Sequence, residues 1–306
     1  MLSSRSKRAP DKRAPVAAVF AAAILFGTTG TAQALAPMGA SPLSLGAVRV
    51  AIGAFGLIVV LARTRSCRRG LRTHPWSLVL AGLGVVGYQV GFFEGTKRAG
   101  VALGTLVALG SGPMFAGVYH AVRFRRLPSL VWTLATLLAA SGGGLVAFAR
   151  HREATSASTG GIVAALLAGF SYAVFSIASK HALADGLGSL EVMAAAFGIG
   201  AVVMAPLLFT ESLHWITTGR GVAVAVELGL GATTAAYALF GFGLARLAVP
   251  AVVTLTLVEP ATAALLSVIV LSQRLAILGW VGVALVFTGV GIVATARDEP
   301  IVQPLG

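Results

Sequence analysis

Charged residues are scarce in this sequence: Asp, Glu, Lys and Arg together make up 11% of the 306 residues. A soluble globular domain carries roughly 25% charged residues, so this deficit excludes an ordinary soluble domain. Hydrophobic residues account for 57% of the chain, and the mean hydropathy is +0.90. Long apolar runs recur from end to end, and about 20 apolar residues suffice for a helix to cross a bilayer. The composition therefore predicts an all-α polytopic membrane protein.

Residues for covalent and metal chemistry are also few. Cysteine occurs once, as Cys67 in "RTRSCRRG", which excludes an intrachain disulfide and leaves a reduced cytosolic loop as the expectation. There is no Walker loop, His-Glu-x-x-His or Gly-x-Ser-x-Gly motif. We therefore expect no enzyme activity, no ATP-driven motor, no cofactor and no metal. The five histidines are scattered, with no pair at metal-ligand spacing: His74, His120, His151, His181 and His214.

One stretch, "GLGVVG" at Gly82 to Gly87, matches the dinucleotide-binding fingerprint by its letters. That fingerprint should follow a strand, open a helix and be trailed by an acidic residue about 20 positions on. Here it lies inside an apolar segment, and the region around Gly104 has no acidic residue. Small residues that permit close approach of two helices in lipid are the better interpretation.

The net charge of +13 comes from Lys and Arg residues in short clusters between apolar runs. Without a basic domain to grip a phosphate backbone, this charge does not indicate nucleic-acid binding. Cytoplasmic loops of membrane proteins carry an excess of Lys and Arg, and with the N-terminus inside, the cytoplasmic segments hold sixteen of them. Both termini are therefore predicted to be cytoplasmic, although in the second half alone the bias is slight. The outer loops hold six: Lys97, Arg98, Arg150, Arg152, Arg220 and Arg274.

Ten apolar segments have about the length that a membrane-spanning helix needs. Short links join them and leave no room for a second soluble domain. Prolines 15, 75, 128 and 250 fall at or just before predicted helix starts, where the missing N–H does no harm. The predicted spans are Pro15–Ala36, Leu43–Ala62, Trp76–Thr96, Val101–Val122, Ser129–Ala149, Gly160–Ser179, Ser189–Phe209, Gly221–Leu244, Pro250–Leu271 and Leu275–Ala296.

The first span has some features of a cleaved signal peptide. The stretch "RSKRAPDKRAP" is basic, "VAAVFAAAILF" is an apolar core, and "TAQALAP" contains small residues as at a cleavage site. Against cleavage, Pro37 would follow the cut, and the segment has a counterpart in the second half of the chain. We expect a retained first helix, with a cleaved signal peptide as the alternative.

The two halves of the chain resemble each other. Arg126–Ala147 aligns with Arg274–Ala294 with one residue of slack, and Arg-Leu, a tryptophan and a closing Gly-x-Gly-aliphatic-Val-Ala coincide. Repeats reset the fold prediction, so this correspondence outweighs the individual segments. Chance similarity among helices rich in Ala, Gly and Val is the alternative. Further pairs, the upstream ones aligned without gaps, are Trp132 with Trp280, Phe93 with Phe240, Pro113 with Pro260, Ala116 with Ala263, and, at an offset one residue smaller, Phe26-Gly27 with Tyr172-Ala173.

Each half spans five predicted helices, at residues 15–149 and 160–296, with cytoplasmic tails at 1–14 and 297–306. Because five is odd, the second copy enters the membrane from the opposite side, which gives two inverted-topology five-helix repeats. Secondary transporters use this architecture and bind substrate near the membrane midplane between the repeats.

The sequence resembles the drug/metabolite transporter superfamily, specifically its ten-helix EamA-type members, over essentially the whole chain. The shared features are "LFGTTGT" in the first helix, "SPLSLGAVRV" entering the second, prolines central to the fourth and ninth helices, and a Gly-rich helix closing each half. The resemblance implies a secondary active transporter in a bacterial-type inner membrane that moves a small organic solute by alternating access. Export of a metabolite, amino acid or drug-like compound is the leading expectation. Uptake by the same fold, or a non-transporting membrane sensor or scaffold, are the alternatives.

The sequence departs from that family at two places. Many members carry Glu-Arg just after the fourth and ninth helices, where this chain has Arg125-Arg126 and Gln273-Arg274, so no role of that Glu is transferred. Residues Leu25 to Leu35 also lack the first-helix carboxylate of the four-helix multidrug relatives. The choice between monomer and homodimer stays open, as does the coupling ion.

Four charged residues lie within the predicted spans: Arg49, Glu94, Glu227 and Glu259. An ionised residue near the bilayer centre costs roughly 2.5–3.5 kcal/mol on insertion scales, so each should face a cavity or a partner. Glu259 is the deepest. We expect Glu259, with Glu227 as a second candidate, to bind protons or a cationic group of the substrate. A structural glutamate bonded to neighbouring helices is the alternative. Arg49 and Glu94 lie near the outer ends of their helices, at depths that permit a salt bridge serving as an outer gate or as a fixed structural pair.

Pro113 and Pro260 lie in the middle of their spans. Proline removes one backbone hydrogen bond and kinks the helix, which a membrane tolerates where a cavity or a neighbour satisfies the freed carbonyl. Matching helix breaks in the two halves point to a transport site. By depth and polarity, the candidate cavity-lining residues are Thr28, Thr29, Gln33, Tyr88, Gln89, Ser111, Tyr172, Ser176, Thr233, Tyr237, Thr254 and Thr256.

Overall fold

The computed structural model describes residues 12–64, 75–150 and 158–296. The expectations for the two tails, for Cys67 and for residues 74, 151 and 152 lie outside these ranges. Within them the chain forms helices joined by short links and has no β-strand. The all-α fold class predicted from the composition is confirmed.

Ten helices follow one another in the predicted order through the described part of the chain. Eight of them are long and apolar enough to cross a membrane, α7 is a shorter apolar helix of 16 residues, and α4 has 24 residues. Two short turns, Leu207–Thr210 and His214–Thr217, lie between α7 and α8. The helices are α1 (Arg13–Ala34), α2 (Pro42–Arg63), α3 (Pro75–Ala99), α4 (Val101–Phe124), α5 (Leu130–Arg150), α6 (Thr159–Ala184), α7 (Ser189–Met204), α8 (Gly219–Arg246), α9 (Val249–Ile269) and α10 (Ile277–Thr295).

Side chains at helix starts satisfy backbone N–H groups that have no partner within the helix. Before α8, the hydroxyl of Thr218 accepts a hydrogen bond from the Gly221 N–H at 3.0 Å. Before α7, the carboxylate of Glu191 accepts one from the Gly188 N–H at 2.9 Å. These caps determine where the links end and the helices begin.

Helix α7 is shorter than predicted, because it ends at Met204 and not at Phe209. Pro206 follows two residues later, and a proline has no N–H to continue the helix and clashes with the preceding turn. The chain goes on as the separate turn Leu207–Thr210.

Helix α8 contains an irregular segment, because residues Glu227–Ala235 form a π-helix. The Thr233 hydroxyl donates to the carbonyl of Leu228 at 2.7 Å, and the Thr234 hydroxyl donates to the carbonyl of Gly229 at 3.1 Å. Both hydroxyls thus reach carbonyls five residues back along the wider turn. Single π turns inside α-helices are rare and often mark functional sites.

Helix α9 is interrupted between Leu255 and Val258. The Glu259 N–H bonds to the Thr256 carbonyl three residues back, at 3.0 Å, in a tighter turn than an α-helix makes. Pro260 is the third residue of the segment that starts at Val258. Its missing N–H therefore falls in a first turn, where an N–H would have no intrahelical partner.

Helix α4, in contrast, continues without interruption through Pro113. The matching helix break expected from the repeat is therefore absent from the first half. A proline inside a helix removes the bond to the carbonyl four residues earlier, here that of Leu109. Leu109 lines a cavity, and a cavity wall is where a membrane helix tolerates a freed carbonyl.

The two halves make equivalent helix contacts. Gly82 of α3 lies against Ile199 of α7, and Gly229 of α8 lies against Ile52 of α2, with 147 positions between counterparts. A Cβ added to Gly82 would lie 2.6 Å from the Ile199 Cβ, and a Cβ added to Gly229 would lie 2.5 Å from the Ile52 Cβ. The repeat is thus confirmed, and the glycine at the start of "GLGVVG" permits close helix approach.

Helices α5 and α10, which close the two halves, touch through their backbones. A Cβ on Gly142 would lie 2.6 Å from the Gly282 carbonyl oxygen, and a Cβ on Gly282 would lie 2.6 Å from the Gly142 carbonyl oxygen. Only residues without a side chain permit this separation, so the Gly-rich character of both helices follows from their crossing.

The π segment changes the correspondence between α3 and α8 by one residue. Gly95 of α3 packs on Ala165 of α6, and the equivalent contact in the other half is that of Gly243 with Val19 of α1. Gly95 and Gly243 are 148 positions apart, one more than the offset before the π segment. A π turn takes up one residue more than an α turn, so the gapless pairing of Phe93 with residue 240 is wrong by one residue.

Replacing Gly142 by alanine should destabilise the protein, because the added methyl group would overlap the Gly282 carbonyl. Overpacking of this kind costs about 1–3 kcal/mol, so we expect the melting temperature of the purified protein in detergent to fall by several degrees. Gly291→Ala on α10 is the matched control, because a Cβ there meets nothing within 4 Å. Equal melting temperatures for the two variants would contradict the described crossing.

Candidate functional site

Two neighbouring cavities lie near the middle of the helices and share four side chains: Arg49, Tyr88, Tyr172 and Tyr237. We refer to them together as the central cavity. The first repeat supplies Arg49 and Tyr88, and the second supplies the other two tyrosines. The cavity therefore lies where the two repeats meet.

The larger part, which we call the Glu259 lobe, contains about 440 Å³ of space between atoms. The smaller part, the Gln89 lobe, contains about 290 Å³. Besides the four shared side chains, the Glu259 lobe is lined by Phe26, Leu109, Thr256, Leu257 and Glu259. The Gln89 lobe is lined in addition by Val50, Gly84, Val85, Gln89, Phe175 and Phe197.

Aromatic rings form most of the wall and hold one another in place. The ring centroid of Tyr237 lies 4.8 Å from that of Phe26 and 4.2 Å from that of Phe197. Tyr88 and Tyr172 face each other at 5.7 Å. Tilted and edge-on arrangements at these separations are favourable, so the wall is a rigid surface suited to a flat or apolar group.

Glu259 lies three residues after the interruption of α9 and is half-buried. Among the described residues, none lies within hydrogen-bond distance of its carboxylate. Arg49 is the cation that faces it, and the hydroxyls of Tyr88, Tyr172 and Tyr237 are the other polar groups around it. The cavity therefore contains an acceptor that lacks a fixed partner.

Arg49 is held by the π segment of α8. Its Nε donates to the Thr233 hydroxyl at 3.0 Å, and this hydroxyl donates in turn to the Leu228 carbonyl. The hydrogen bond directs the guanidinium toward the cavity rather than toward the end of α3. The irregular backbone thus positions the cation of the site.

The predicted pair of Arg49 with Glu94 is not formed. Glu94 makes a salt bridge with Arg98 one turn further along α3, where side chains four residues apart are neighbours. Arg49 extends from α2 toward Thr233 instead. The expectation of an Arg49–Glu94 gate is therefore corrected.

Glu227 lies outside the central cavity and connects two helices. Its carboxylate accepts a hydrogen bond from the Thr28 hydroxyl of α1 at 2.7 Å. Gly231, one turn along α8, leaves room for this carboxylate, since a Cβ there would lie 2.7 Å from both of its oxygens. Of the two glutamates proposed from the sequence, only Glu259 lines the cavity.

The remaining predicted polar residues divide into two groups. Five line the central cavity: Tyr88, Gln89, Tyr172, Tyr237 and Thr256. Seven do not line it: Thr28, Thr29, Gln33, Ser111, Ser176, Thr233 and Thr254. The hydroxyls of Ser111 and Ser176 donate to carbonyls of their own helices, and Thr254 is bonded to Thr136 at 3.1 Å.

The apolar lining residues Phe26, Phe175 and Phe197 were not predicted from the sequence, because polarity was the criterion. One signal for them was available. Phe26 pairs with Tyr172 in the repeat, so an aromatic residue occurs at the same place in both halves. Matched aromatic positions in an inverted repeat are a sign of a shared cavity wall.

On the face of the bundle where α1 begins, Lys180 ties α6 to the link between α8 and α9. Its Nζ donates to the carbonyls of Leu244, Ala245 and Leu247 at 2.9, 3.3 and 3.1 Å. Lys180 is 5% exposed, so its charge is balanced by these carbonyls rather than by water. A cation at the C-terminal end of α8 also interacts favourably with the helix dipole.

On the opposite face, Trp215 in the short turn before α8 covers the start of α2. Its Nε1 donates to the Ser44 hydroxyl at 3.1 Å, and the Ser41 hydroxyl donates to the Glu211 carboxylate at 2.5 Å. Contacts therefore join the helices at both ends of the bundle, above and below the central cavity.

Two inverted five-helix repeats around a shared cavity define a membrane transporter and not an enzyme. The family model for "EamA-like transporter family" matches residues 13–148 and again residues 159–295. The chain belongs to the EamA-like transporter family. The resemblance inferred from the sequence is thus confirmed, and the chain is a multi-pass membrane protein.

Two individual comparisons agree with this assignment. The chain is 37% identical over 279 residues to "Uncharacterized transporter YwfM" of Bacillus subtilis (strain 168), and the alignment covers 91% of this chain and 93% of that protein. A solved structure described as "Crystal structure of protein" superposes with a TM-score of 0.79, covering 94% of this chain and 100% of that chain at 24% identity. The second comparison supports the fold alone.

Substitutions at Arg49 and Glu94 should act independently, because the two side chains have different partners. In a double-mutant cycle of Arg49→Ala and Glu94→Ala, followed by thermal unfolding, we expect a coupling free energy near zero. The cycle of Glu94→Ala with Arg98→Ala is the control, and should give about 0.2–0.5 kcal/mol, as for exposed pairs four residues apart. Rescue of a charge reversal at Arg49 by a reversal at Glu94 would contradict these pairings.

Proposed function

We propose that the chain exports a small organic solute by alternating access and that the central cavity binds this solute. The composition of the cavity wall carries the proposal, because each lobe is lined by side chains from both repeats. Movement of one repeat against the other would change access to such a site, as in other inverted-repeat transporters.

We further propose a bacterial-type inner membrane with both termini in the cytoplasm. The excess of Lys and Arg in the segments on that side supports this orientation. The face with Lys180 is then cytoplasmic, and the face with Trp215 is external. Export would begin with opening on the Lys180 face and end with opening on the Trp215 face.

The interruption of α9 is our candidate for the moving part. Thr256 and Leu257 form the interruption, and both line the Glu259 lobe. Non-helical backbone at membrane depth is tolerated where it lines a cavity, and hinges are formed by a few residues that absorb a change of backbone angles. A change at these two residues would move Glu259 relative to the first segment of α9.

Glu259 is our candidate for coupling transport to protons. Its carboxylate lies among Arg49 and the hydroxyls of Tyr88, Tyr172 and Tyr237, without a hydrogen-bond partner in the described part of the chain. An ionised carboxylate without a partner is costly at membrane depth. We propose that a proton and a cationic group of the solute occupy Glu259 in turn, so that one leaves as the other binds.

Solute flux in sealed proteoliposomes, with and without a pH gradient, tests this proposal over a panel of amino acids, nucleosides and cationic drugs. We expect flux of at least one solute, stimulated by the gradient in the wild-type protein and not in Glu259→Gln. The control, Glu94→Gln, removes a carboxylate outside the cavity and should keep the stimulation.

Two outcomes would contradict the proposal in different ways. Flux through Glu259→Gln that still depends on the gradient would overturn the coupling role of this residue. Absence of flux for every solute of the panel would overturn the proposal of a carrier and favour a sensor or scaffold.

A further inference from the structure

Gln89 has a buried amide nitrogen without a hydrogen-bond partner. The side chain is 4% exposed, and no acceptor for its Nε2 lies in the described part of the chain. Buried polar groups of folded proteins are nearly always paired, so an unpaired one at a cavity wall requires an explanation. Gln89 lines the smaller lobe of the central cavity together with Arg49.

Arg49 likewise has unused donors. Only its Nε is engaged, by the Thr233 hydroxyl, and the two terminal nitrogens have no acceptor among the described residues. These nitrogens form the planar fork that matches the two oxygens of a carboxylate. The hydrogen bond of Nε fixes the orientation of the fork before any ligand arrives.

The Gln89 lobe as a whole is rich in donors and poor in acceptors. The hydroxyls of Tyr88 and Tyr237 line it and have no partner within the described ranges, whereas the Tyr172 hydroxyl is bonded to Thr256 at 3.1 Å. The carboxylate of the central cavity, that of Glu259, lines the other lobe. The site is therefore electrically polarised, with a cationic end and an anionic end.

We propose that Arg49 and Gln89 form a carboxylate-binding subsite, and that the transported solute is a zwitterion. Its carboxylate binds Arg49 and Gln89 in the Gln89 lobe, and its ammonium binds Glu259 in the other lobe. The aromatic wall between them accepts an apolar or flat side chain. This substrate class rests on the proposed function, since it assigns the solute of the same cavity.

The single cation in the lobe selects a carboxylate over a phosphate. A carboxylate carries one negative charge, which one guanidinium balances. A phosphate monoester carries up to two, and the lobe offers no second cation among the residues that line it. A neutral amide beside the guanidinium suits the second oxygen of a carboxylate.

Three probes of equal size separate the two ends of the site: L-phenylalanine, 2-phenylethylamine without the carboxylate, and 3-phenylpropionate without the ammonium. Binding to the purified full chain in lipid nanodiscs is measured by calorimetry. We expect L-phenylalanine to bind at least about tenfold more tightly than either analogue, because a site built for a charged group rejects a ligand that lacks it.

Substitutions then assign the carboxylate to its subsite. Arg49→Gln should reduce the advantage of L-phenylalanine over 2-phenylethylamine to about onefold, and Gln89→Leu should reduce it by about threefold or more, since each removes donors to the carboxylate. Arg49→Lys keeps the charge without the fork and should retain part of the advantage. The control, Arg98→Gln, removes an arginine that pairs with Glu94 outside the cavity and should leave the advantage unchanged.

The result that overturns the subsite is an equal affinity of the wild-type protein for L-phenylalanine and 2-phenylethylamine, or an unchanged advantage in both Arg49→Gln and Gln89→Leu. Failure of all three probes to bind would overturn the substrate class. These failures differ from failure of the carrier itself. A solute without a carboxylate that is transported equally by wild type and Arg49→Gln would keep the proposed function and refute the subsite.

Discussion

Every backbone polar group in the hydrocarbon core must find its partner within the protein, because no water is present there to provide one. This constraint explains where the irregular parts of the bundle lie. The π segment of α8 has the hydroxyls of Thr233 and Thr234 beside its carbonyls, and the link after α8 has the three donors of Lys180. The interruption of α9 lies on a cavity wall. Each departure from regular helix is thus accompanied by its own compensation, at the centre of the bundle or at its end.

The repeat supplies the scaffold, whereas the chemistry of the cavity comes from positions at which the repeats differ. Glu259 has Gly112 as its counterpart, and Arg49 has Ala196, each 147 positions away. Symmetric charges would place two carboxylates or two guanidiniums near each other across the axis, and like charges repel strongly in a medium of low dielectric constant. Confining each charge to one half avoids this repulsion and gives the cavity two different ends.

Hydropathy and internal similarity were sufficient to predict the ten helices, the repeat and the family, because segment length and apolar composition determine which parts of the chain cross a bilayer. They were insufficient for the backbone irregularities. Pro113 and Pro260 are equivalent in the sequence, yet α4 is continuous and α9 is interrupted. The partner of Arg49 was also missed, because depth along a helix restricts which residues lie at one level but not the direction in which a long side chain extends. Polarity identified five lining residues of the cavity and overlooked its phenylalanines.

The extra residue of the π segment has a consequence for what the cavity contains. Beyond that segment, the residue of α8 that corresponds in space to Gln89 is Tyr237, 148 positions later, and both line the same lobe. With a regular α-helix in place of the π turn, this location would fall to Ala236, and the wall would lose a ring and a hydroxyl. A change of helical phase alone thus alters the composition of a binding surface, as a point mutation would, while every residue of the chain stays the same.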